Sequence, residues 1–425
     1  MEVSDGRRFC GEHAGDGEDQ YGRRRRIPCP LDPKHTIYED QLEKHLTKCN
    51  SREKPKPVFY VQDVNSSCEN TEPSSDQISL CSLSKEELQN LTEKLKQVTS
   101  GLTPPLVNKK LCHWALLEAL NDPKNGESAS KHLKQQGSIL GHLESLCLLG
   151  GSRYFVEFGA GRGKLSHWVD IAIQGAENVH FLLVERATTR FKVDGKPRKS
   201  TFERLQIDIQ HLCLERVPIL KQKQLPIIGI GKHLCGAGTD LALRCLLQSY
   251  SHPDESWPKR PRTNMVECRI SEDRETKSAR HPTVEGIVIA LCCHHRCDWY
   301  HYVGKDFFHS LGLGHREFSL FQRMSSWATC GMRRLPSKGP QSTEQAGIEN
   351  KEEHEAENQD FDSHSEAIQG LLTAEERESL GRLCKLLIDY GRLDYLKQMG
   401  YRAVLQYYTE PEVSLENVLL TAIPQ

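Results

Sequence analysis

The chain has no apolar run long enough to span a bilayer, and its opening residues, MEVSDGRRFCGEH, hold no apolar core of the kind a secretory signal requires. A soluble intracellular protein, in the nucleus, the cytoplasm or both, is the expectation. No internal repeat is present, so repeat architectures are set aside. Net charge is also nearly absent: 56 Lys and Arg against 58 Asp and Glu leave −2 at pH 7. That excludes a uniformly basic nucleic-acid binder but not one with basic patches. The sum conceals an uneven distribution, with GRRRR at 22–26, SREKPKP at 51–57 and RATTRFKVDGKPRKS at 186–200 set against the acidic ENKEEHEAENQDFD at 349–362. Cysteine is not scarce, at 16 residues. With no secretory signal the thiols are expected to be reduced, which leaves them metal ligation, catalysis and burial.

The 425 residues, 37% hydrophobic and 27% charged, suit one large domain with appendages or two domains. Residues 1–26 read as a basic tail, 27–50 as a zinc finger, 51–110 as a linker with one short helix, and 111–425 as the large domain. In the linker, Ser84 and Glu87 fit a capping box, and Leu88, Leu91 and Leu95 recur at helical spacing. Beyond about 150, the strand-like runs RYFVEFGAG, VHFLLVER, RLQIDIQ, LPIIGIGKHL and EGIVIALCC are interleaved with or followed by helical patterns such as KLSHWVDIAI, TDLALRCLLQSY and YVGKDFFHSLG. That pattern predicts an α/β fold with a mostly parallel sheet covered on both faces. RAVLQYYT and SLENVLLTAIP, joined through EPEV, predict a terminal antiparallel hairpin. Two polar stretches, near 252–284 and 336–366, lack apolar periodicity and are expected to be disordered surface insertions.

RYFVEF runs into Gly159, Gly161 and Gly163 and then into a helix near Lys164. Glycines suit a tight strand-to-helix turn that lets a cofactor approach the backbone. A dinucleotide fingerprint wants its third glycine one position later, where Lys164 stands, and here Glu157 precedes the loop. Glu-x-Gly-x-Gly-x-Gly suits S-adenosylmethionine, whose cationic amino and sulfonium groups favour a carboxylate; another nucleotide in a similar fold is the competing reading. Glu185, at the end of the second strand, falls where an acid accepts from ribose hydroxyls, and Asp208, ending the third, falls near the adenine.

Cys29, His35, His45 and Cys49 have the spacing Cys-x5-His-x9-His-x3-Cys. His45 and Cys49 lie one helical turn apart, and Cys29 and His35 sit on the turn-rich CPLDPKH. Two thiolates and two neutral imidazoles satisfy tetrahedral zinc. With little core beyond Leu31, Ile37, Leu42 and Leu46, the metal is expected to supply most of the segment's folding free energy. Cys10 and His13 look like the closing half of another finger, but no cysteine precedes them to complete it.

These features together resemble the eukaryotic tRNA 2′-O-methyltransferases that act on the fourth nucleotide of the acceptor stem. The resemblance runs over CPLDPKHTIYEDQLEKHLTKC, LNDPKNGESASKHLKQQGSIL, VEFGAGRGKLSHWVDIA, GIGKHLCGAGTDLALRCL, ALCCHHRCDWYHYVGK and MSSWATCGMR. It implies a class I methyltransferase fold, S-adenosylmethionine as donor, and tRNAs such as those for glycine, proline and histidine as substrates. Members usually carry a CCCH finger ahead of the CHHC one, and here only FCGEH matches its end.

Methyl transfer to a ribose hydroxyl needs in-line alignment and a base. The carboxyl ends of the fourth and fifth strands offer Lys232 and His233, with His294 and His295 as rivals. Many ribose methyltransferases use a Lys-Asp-Lys-Glu set, which has no obvious counterpart after the fourth strand. The Asn-Pro-Pro-Tyr-like element of base-amine methyltransferases is also missing from GKHLCGAG. In ALCCHHRC, alternation makes Cys292 or Cys293 a buried small hydrophobe, and the run alone lacks the spacing for four ligands on one ion. The basic runs near 23–26 and 186–200 would meet phosphates, GRRRR serving equally as a solvated face or an import signal. A zinc-finger scaffold with a vestigial methyltransferase domain is the alternative reading.

Overall fold

Apolar residues alternate between two buried faces along the central strands, and this alternation builds the larger part of the molecule. In the computed structural model, which describes residues 25–49, 51–52, 56–67, 80–187, 199–248, 283–330 and 371–425, two compact units separate between Val58 and Phe59. The first contains an antiparallel pair, β1 (Arg26–Cys29) and β2 (Asp32–Tyr38), followed by a short helix, Leu42–Leu46. The segment expected to be turn-rich is thus a hairpin: Cys29 ends β1, His35 lies within β2, and their side chains come from adjacent strands.

The second unit holds an eight-stranded sheet. Its strands are β3 (Val107–Asn108), β4 (Arg153–Phe158), β5 (Val179–Glu185), β6 (Thr201–Gln206), β7 (Ile227–Lys232), β8 (Val284–Ala290), β9 (Tyr401–Tyr407) and β10 (Val418–Pro424), in the order β3-β9-β10-β8-β7-β4-β5-β6. From β8 to β6 all neighbours are parallel, whereas β10 runs antiparallel to both β8 and β9. The expected α/β sheet with a terminal antiparallel hairpin is therefore present. Tyr154, Val156 and Phe158 face one core and Phe155 the other; Leu182 and Val184 oppose Phe181 in the same way. Burial on both faces explains why these strands read as continuous apolar runs. RLQIDIQ pairs earlier than expected, because Thr201–Glu203 continue the ladder against β5 and the strand ends at Gln206.

Much of the expected linker belongs to this unit. Tyr60 bridges Leu212, and Asn65 donates to the carbonyls of Ile209 and Leu212. The helix Lys85–Ser100 begins at the Ser84–Glu87 capping box and buries Leu88, Leu91 and Leu95. Two helices without a sequence expectation of their own, Glu127–Ser145 and Ala374–Gln398, cover the sheet and an aromatic cluster around Tyr302, Phe308, Phe318 and Phe321. Apart from residues 283 and 284, the expected insertions near 252–284 and 336–366 lie outside the described residues, as do Cys10 and His13 and most of the 186–200 run. Among the described residues no helix is long and apolar enough to cross a membrane.

One buried ionic group ties distant segments together. Arg392, in the helix Ala374–Gln398, donates to Asp240 (Nη2 to Oδ2, 2.7 Å) and to Asp389 (Nη1 to Oδ1, 3.0 Å). Asp389 also accepts from His294 Nε2 at 2.7 Å. Replacing Arg392 by Met would leave two buried carboxylates without their cation, so a loss of about 3–5 kcal/mol is expected in urea unfolding of this unit. A loss below about 1 kcal/mol would show that the aspartates find other partners.

Candidate active site and metal centre

The chain leaves β4 for β5 and β6 on one side of the sheet and returns to β7 and β8 on the other. The crevice at the carboxyl ends of β4 and β7 is therefore the switch point where open α/β sheets bind ligands. At the end of β4, Gly159, Gly161 and Gly163 take left-handed φ of +59°, +47° and +69°. Only glycine adopts these without strain. A Cβ at Gly159 would lie 2.9 Å from Leu234, whereas at Gly161 it would meet nothing within 4 Å and project into open space. Arg204 of β6 donates to the Gly161 carbonyl at 3.2 Å and ties down the loop.

The three acids do different work. Glu185 accepts from the Gly161 and Ala187 N–H groups at 2.9 and 3.0 Å, one on each oxygen. Asp208 accepts from Gln210 N–H at 3.0 Å, capping a short turn, and lies 3.7 Å from the exposed Arg186. Glu157 is buried, and its carboxyl accepts from the backbone N–H and the hydroxyl of Ser166 at 3.0 and 2.5 Å. Both bonds fall on one Glu157 oxygen and serve the start of the helix Lys164–Ala172. Burial pushes its carboxyl up to about 7, despite the Ser166 hydrogen bonds and the Arg204 and Lys232 charges.

At the end of β7, Lys232 is buried and His233 exposed. The Lys232 ammonium nitrogen lies 3.0 Å from Nδ1 of His132, on the helix Glu127–Ser145, and His132 meets the His233 ring edge-on with centroids 6.0 Å apart. His132 was not singled out in the sequence. No local motif marks it, because its partner lies a hundred positions away.

Beyond β8 the histidines separate. His294 is 1% exposed and held by Asp389, and its Nδ1 has no hydrogen-bond partner among the described residues. His295 is half-buried, its imidazole lowered by burial, and its carbonyl accepts from Gln322. Cys297 is buried and donates to the His294 carbonyl at 2.8 Å. Cys292 and Cys293 instead meet Cys235 from the loop after β7, with the three sulfurs all within 4.8 Å of one another. Hydrogen bonding among these thiols, with burial, holds Cys292 well above the usual range and pushes Cys293 up to about 12.

In the first unit the four expected ligands converge. The separations are 3.8 Å for Cys29 Sγ to Cys49 Sγ, 3.1 Å for His35 Nε2 to His45 Nε2, 3.3 Å for His45 Nε2 to Cys29 Sγ, and 3.7 Å for Cys49 Sγ to His35 Nε2. Tetrahedral zinc with bonds of ~2.3 Å to sulfur and ~2.05 Å to nitrogen requires ligand separations of about 3.3–3.8 Å. Three of the four separations fall in that range and the two imidazole nitrogens stand ~0.2 Å closer than it, so a small spread of the rings admits the ion. Cys49 reaches the site because its N–H bonds to the His45 carbonyl at 2.7 Å, extending the turn past Leu46.

Glu157 generates a pH prediction. Its carboxyl is neutral in both states well below 4.5, and between 4.5 and about 7 it ionises in the unfolded chain first. Its contribution to stability should therefore fall as pH rises through that window, by on the order of 3 kcal/mol, and level off above it. In Glu157→Gln this part of the pH dependence should vanish. Parallel stability curves for the two proteins from pH 4.5 to 8 would show that the carboxyl is not held neutral.

The family model for Methyltransferase TRM13 matches residues 134–423, and that for the U11-48K-like CHHC zinc finger matches residues 26–50. A Mus musculus protein described as "tRNA:m(4)X modification enzyme TRM13 homolog" is 56% identical over 440 residues, covering 100% of this chain and 91% of its own length. The Homo sapiens protein of the same description is 56% identical over 443 residues, covering 100% and 92%. A Schizosaccharomyces pombe protein, "tRNA:m(4)X modification enzyme TRM13", is 32% identical over 415 residues, covering 94% and 95%. No solved structure matches.

Proposed function

This chain belongs to the Methyltransferase TRM13 family, and from that premise we propose that it transfers a methyl group from S-adenosylmethionine to the ribose 2′-hydroxyl of nucleotide 4 in the acceptor stem of tRNA. The tRNAs for glycine, proline and histidine are the proposed substrates, and the setting is the nucleus, the cytoplasm or both. One observation carries the reading: an open glycine loop at the end of β4 stands beside a buried Lys232–His132 pair at the end of β7. On this reading the donor site and the proton acceptor share one switch point.

The residues present fit the donor. Gly161 leaves the space that any side chain would fill, and each Glu185 oxygen accepts one backbone N–H, leaving lone-pair capacity for ribose hydroxyls. S-adenosylmethionine, when bound, would supply a sulfonium methyl open to in-line attack by an oxygen nucleophile, with the neutral thioether S-adenosylhomocysteine leaving as the carbon–sulfur bond breaks. Lys232 is the proposed base. The base is its neutral amine, 3.0 Å from His132 Nδ1, so the ammonium must first give up a proton; the amine then takes the ribose proton as the new carbon–oxygen bond forms. His233 and His295 remain as candidate phosphate or ribose contacts. His294 is given a positioning role, because a ring 1% exposed and bonded to Asp389 orients its loop.

Incubation with labelled donor and total tRNA, followed by nucleoside analysis, should yield a ribose-methylated nucleotide 4. Label on a nucleobase, or none on tRNA, would overturn the reading. Lys232→Met should lower kcat by about 10²–10⁴-fold, the worth of a general base, with donor affinity by calorimetry unchanged. A decrease below tenfold would place the base elsewhere.

Zinc is the proposed ion of the Cys29–His35–His45–Cys49 set, with the finger gripping the RNA. Few side chains are buried there apart from the ligands Cys29 and Cys49 and the neighbouring Ile37, so the ion supplies most of the folding free energy. Cys49→Ser is expected to unfold this segment and weaken tRNA binding in a filter assay while leaving donor binding intact. Unchanged tRNA affinity would show that the finger does not hold the substrate.

A further inference from the structure

We propose that Cys235, Cys292 and Cys293 form a second metal centre, a three-thiolate site for zinc at the carboxyl ends of β7 and β8. Each sulfur lies within 4.8 Å of the others, and Cys235 Sγ is 3.2 Å from Cys293 Sγ. The sulfur–sulfur separation in the first unit is 3.8 Å, the tetrahedral value for zinc–sulfur bonds of ~2.3 Å, so the Cys235 and Cys293 sulfurs would move apart by about half an ångström on taking the ion. The cluster is invisible to spacing rules because it is made by topology. Parallel neighbours β7 and β8 end at Lys232 and Ala290, and Cys235 and Cys293 each stand three residues further on.

The backbone around these sulfurs is constrained in the manner of a ligand clamp. His233 and Cys293 are non-glycine residues at φ of +66° and +51°. Such conformations cost roughly 1–2 kcal/mol each and persist where the surroundings over-determine them. The two loops touch, since a Cβ at Gly236 would come within 3.1 Å of the Arg296 carbonyl. Cys293 N–H donates to Glu416 at 3.2 Å, and Glu416 is itself held by Lys385, so the backbone that carries the Cys293 sulfur is fixed by a second segment of the chain.

Plain burial accounts for Cys292 but not for Cys235 and Cys293, which are only half-buried. Thiolates select a soft ion such as zinc over magnesium or calcium. Three protein ligands leave a fourth position for water or another oxygen donor, the pattern of an open zinc site. Binding would release up to three thiol protons as the zinc–sulfur bonds form.

The test is the metal content of the full chain, purified under reducing conditions and measured by inductively coupled plasma mass spectrometry. Two zinc ions per chain are expected, falling to one in Cys235→Ser, to one in Cys293→Ser, and separately to one in Cys49→Ser. One ion in the unaltered protein, or two that survive both loop substitutions, would overturn the proposal. So would a Cys235–Cys293 disulfide found in peptide mapping of the same reduced preparation. Should a loop variant fail to fold, the unaltered protein still decides: cobalt substitution should add a second, thiolate-rich absorption spectrum to that of the finger, and a single Cys₂His₂ spectrum would count against the centre. The count does not depend on methyl transfer, so it can fail while the proposed activity stands.

Discussion

The reversal of strand order between β4 and β7 is the constraint on which the candidate site depends. Two adjacent parallel strands, both buried on two faces, deliver their carboxyl ends to one crevice while the chain departs in opposite directions. The glycine loop can then open, because no helix has to pass over the gap between the strands. Lys232 can be buried yet remain beside that opening, because it is the last residue of β7. The antiparallel β10 matters in the same way: it covers the outer edge of β8 and brings Glu416, just before β10, under the loop that follows β8.

Local order is strict where this crevice is built. The loop after β4 is fixed from three directions: by Glu185 accepting from Gly161, by Arg204 donating to the Gly161 carbonyl, and by Glu157 holding the start of the next helix. Such a loop loses little conformational entropy when a ligand arrives, and preorganisation of this kind favours binding. The cost is carried by Glu157, an acid in a site that disfavours its charge.

The parallel sheet, its terminal hairpin and the four finger ligands were legible in the sequence because each is a local signal. Unbroken apolar runs mark strands buried on two faces, glycines mark the turn, and His45 and Cys49 repeat at one helical turn. The chemistry of the crevice was only half legible. Glu157 reads from spacing as a partner for a cationic ligand, and spacing does not announce the helix start that its carboxyl also satisfies. His132 and Cys235 acquire their partners across 100 and 58 positions, through folding of the whole sheet. No window along the chain contains that information. His294 and His295 are neighbours in sequence with opposite fates, one sealed against Asp389 and one half-buried, because a short helical turn at 294–296 points their side chains apart.

The buried ions explain how the loops after β7 and β8 stay ordered. Asp240 follows β7, His294 follows β8, and Asp389 and Arg392 lie on a helix that arrives almost a hundred residues later. Burying charges gains little net stability over well-packed apolar side chains, since desolvation offsets most of the attraction. What it adds is direction: a guanidinium with two carboxylates and an imidazole has one arrangement that satisfies them, whereas leucines would have several. The loops after β7 and β8 are therefore held at their bases by a group that cannot slide. Strain at His233 and Cys293 can be sustained above it, because relaxing either turn would pull against a buried ion pair rather than against solvent.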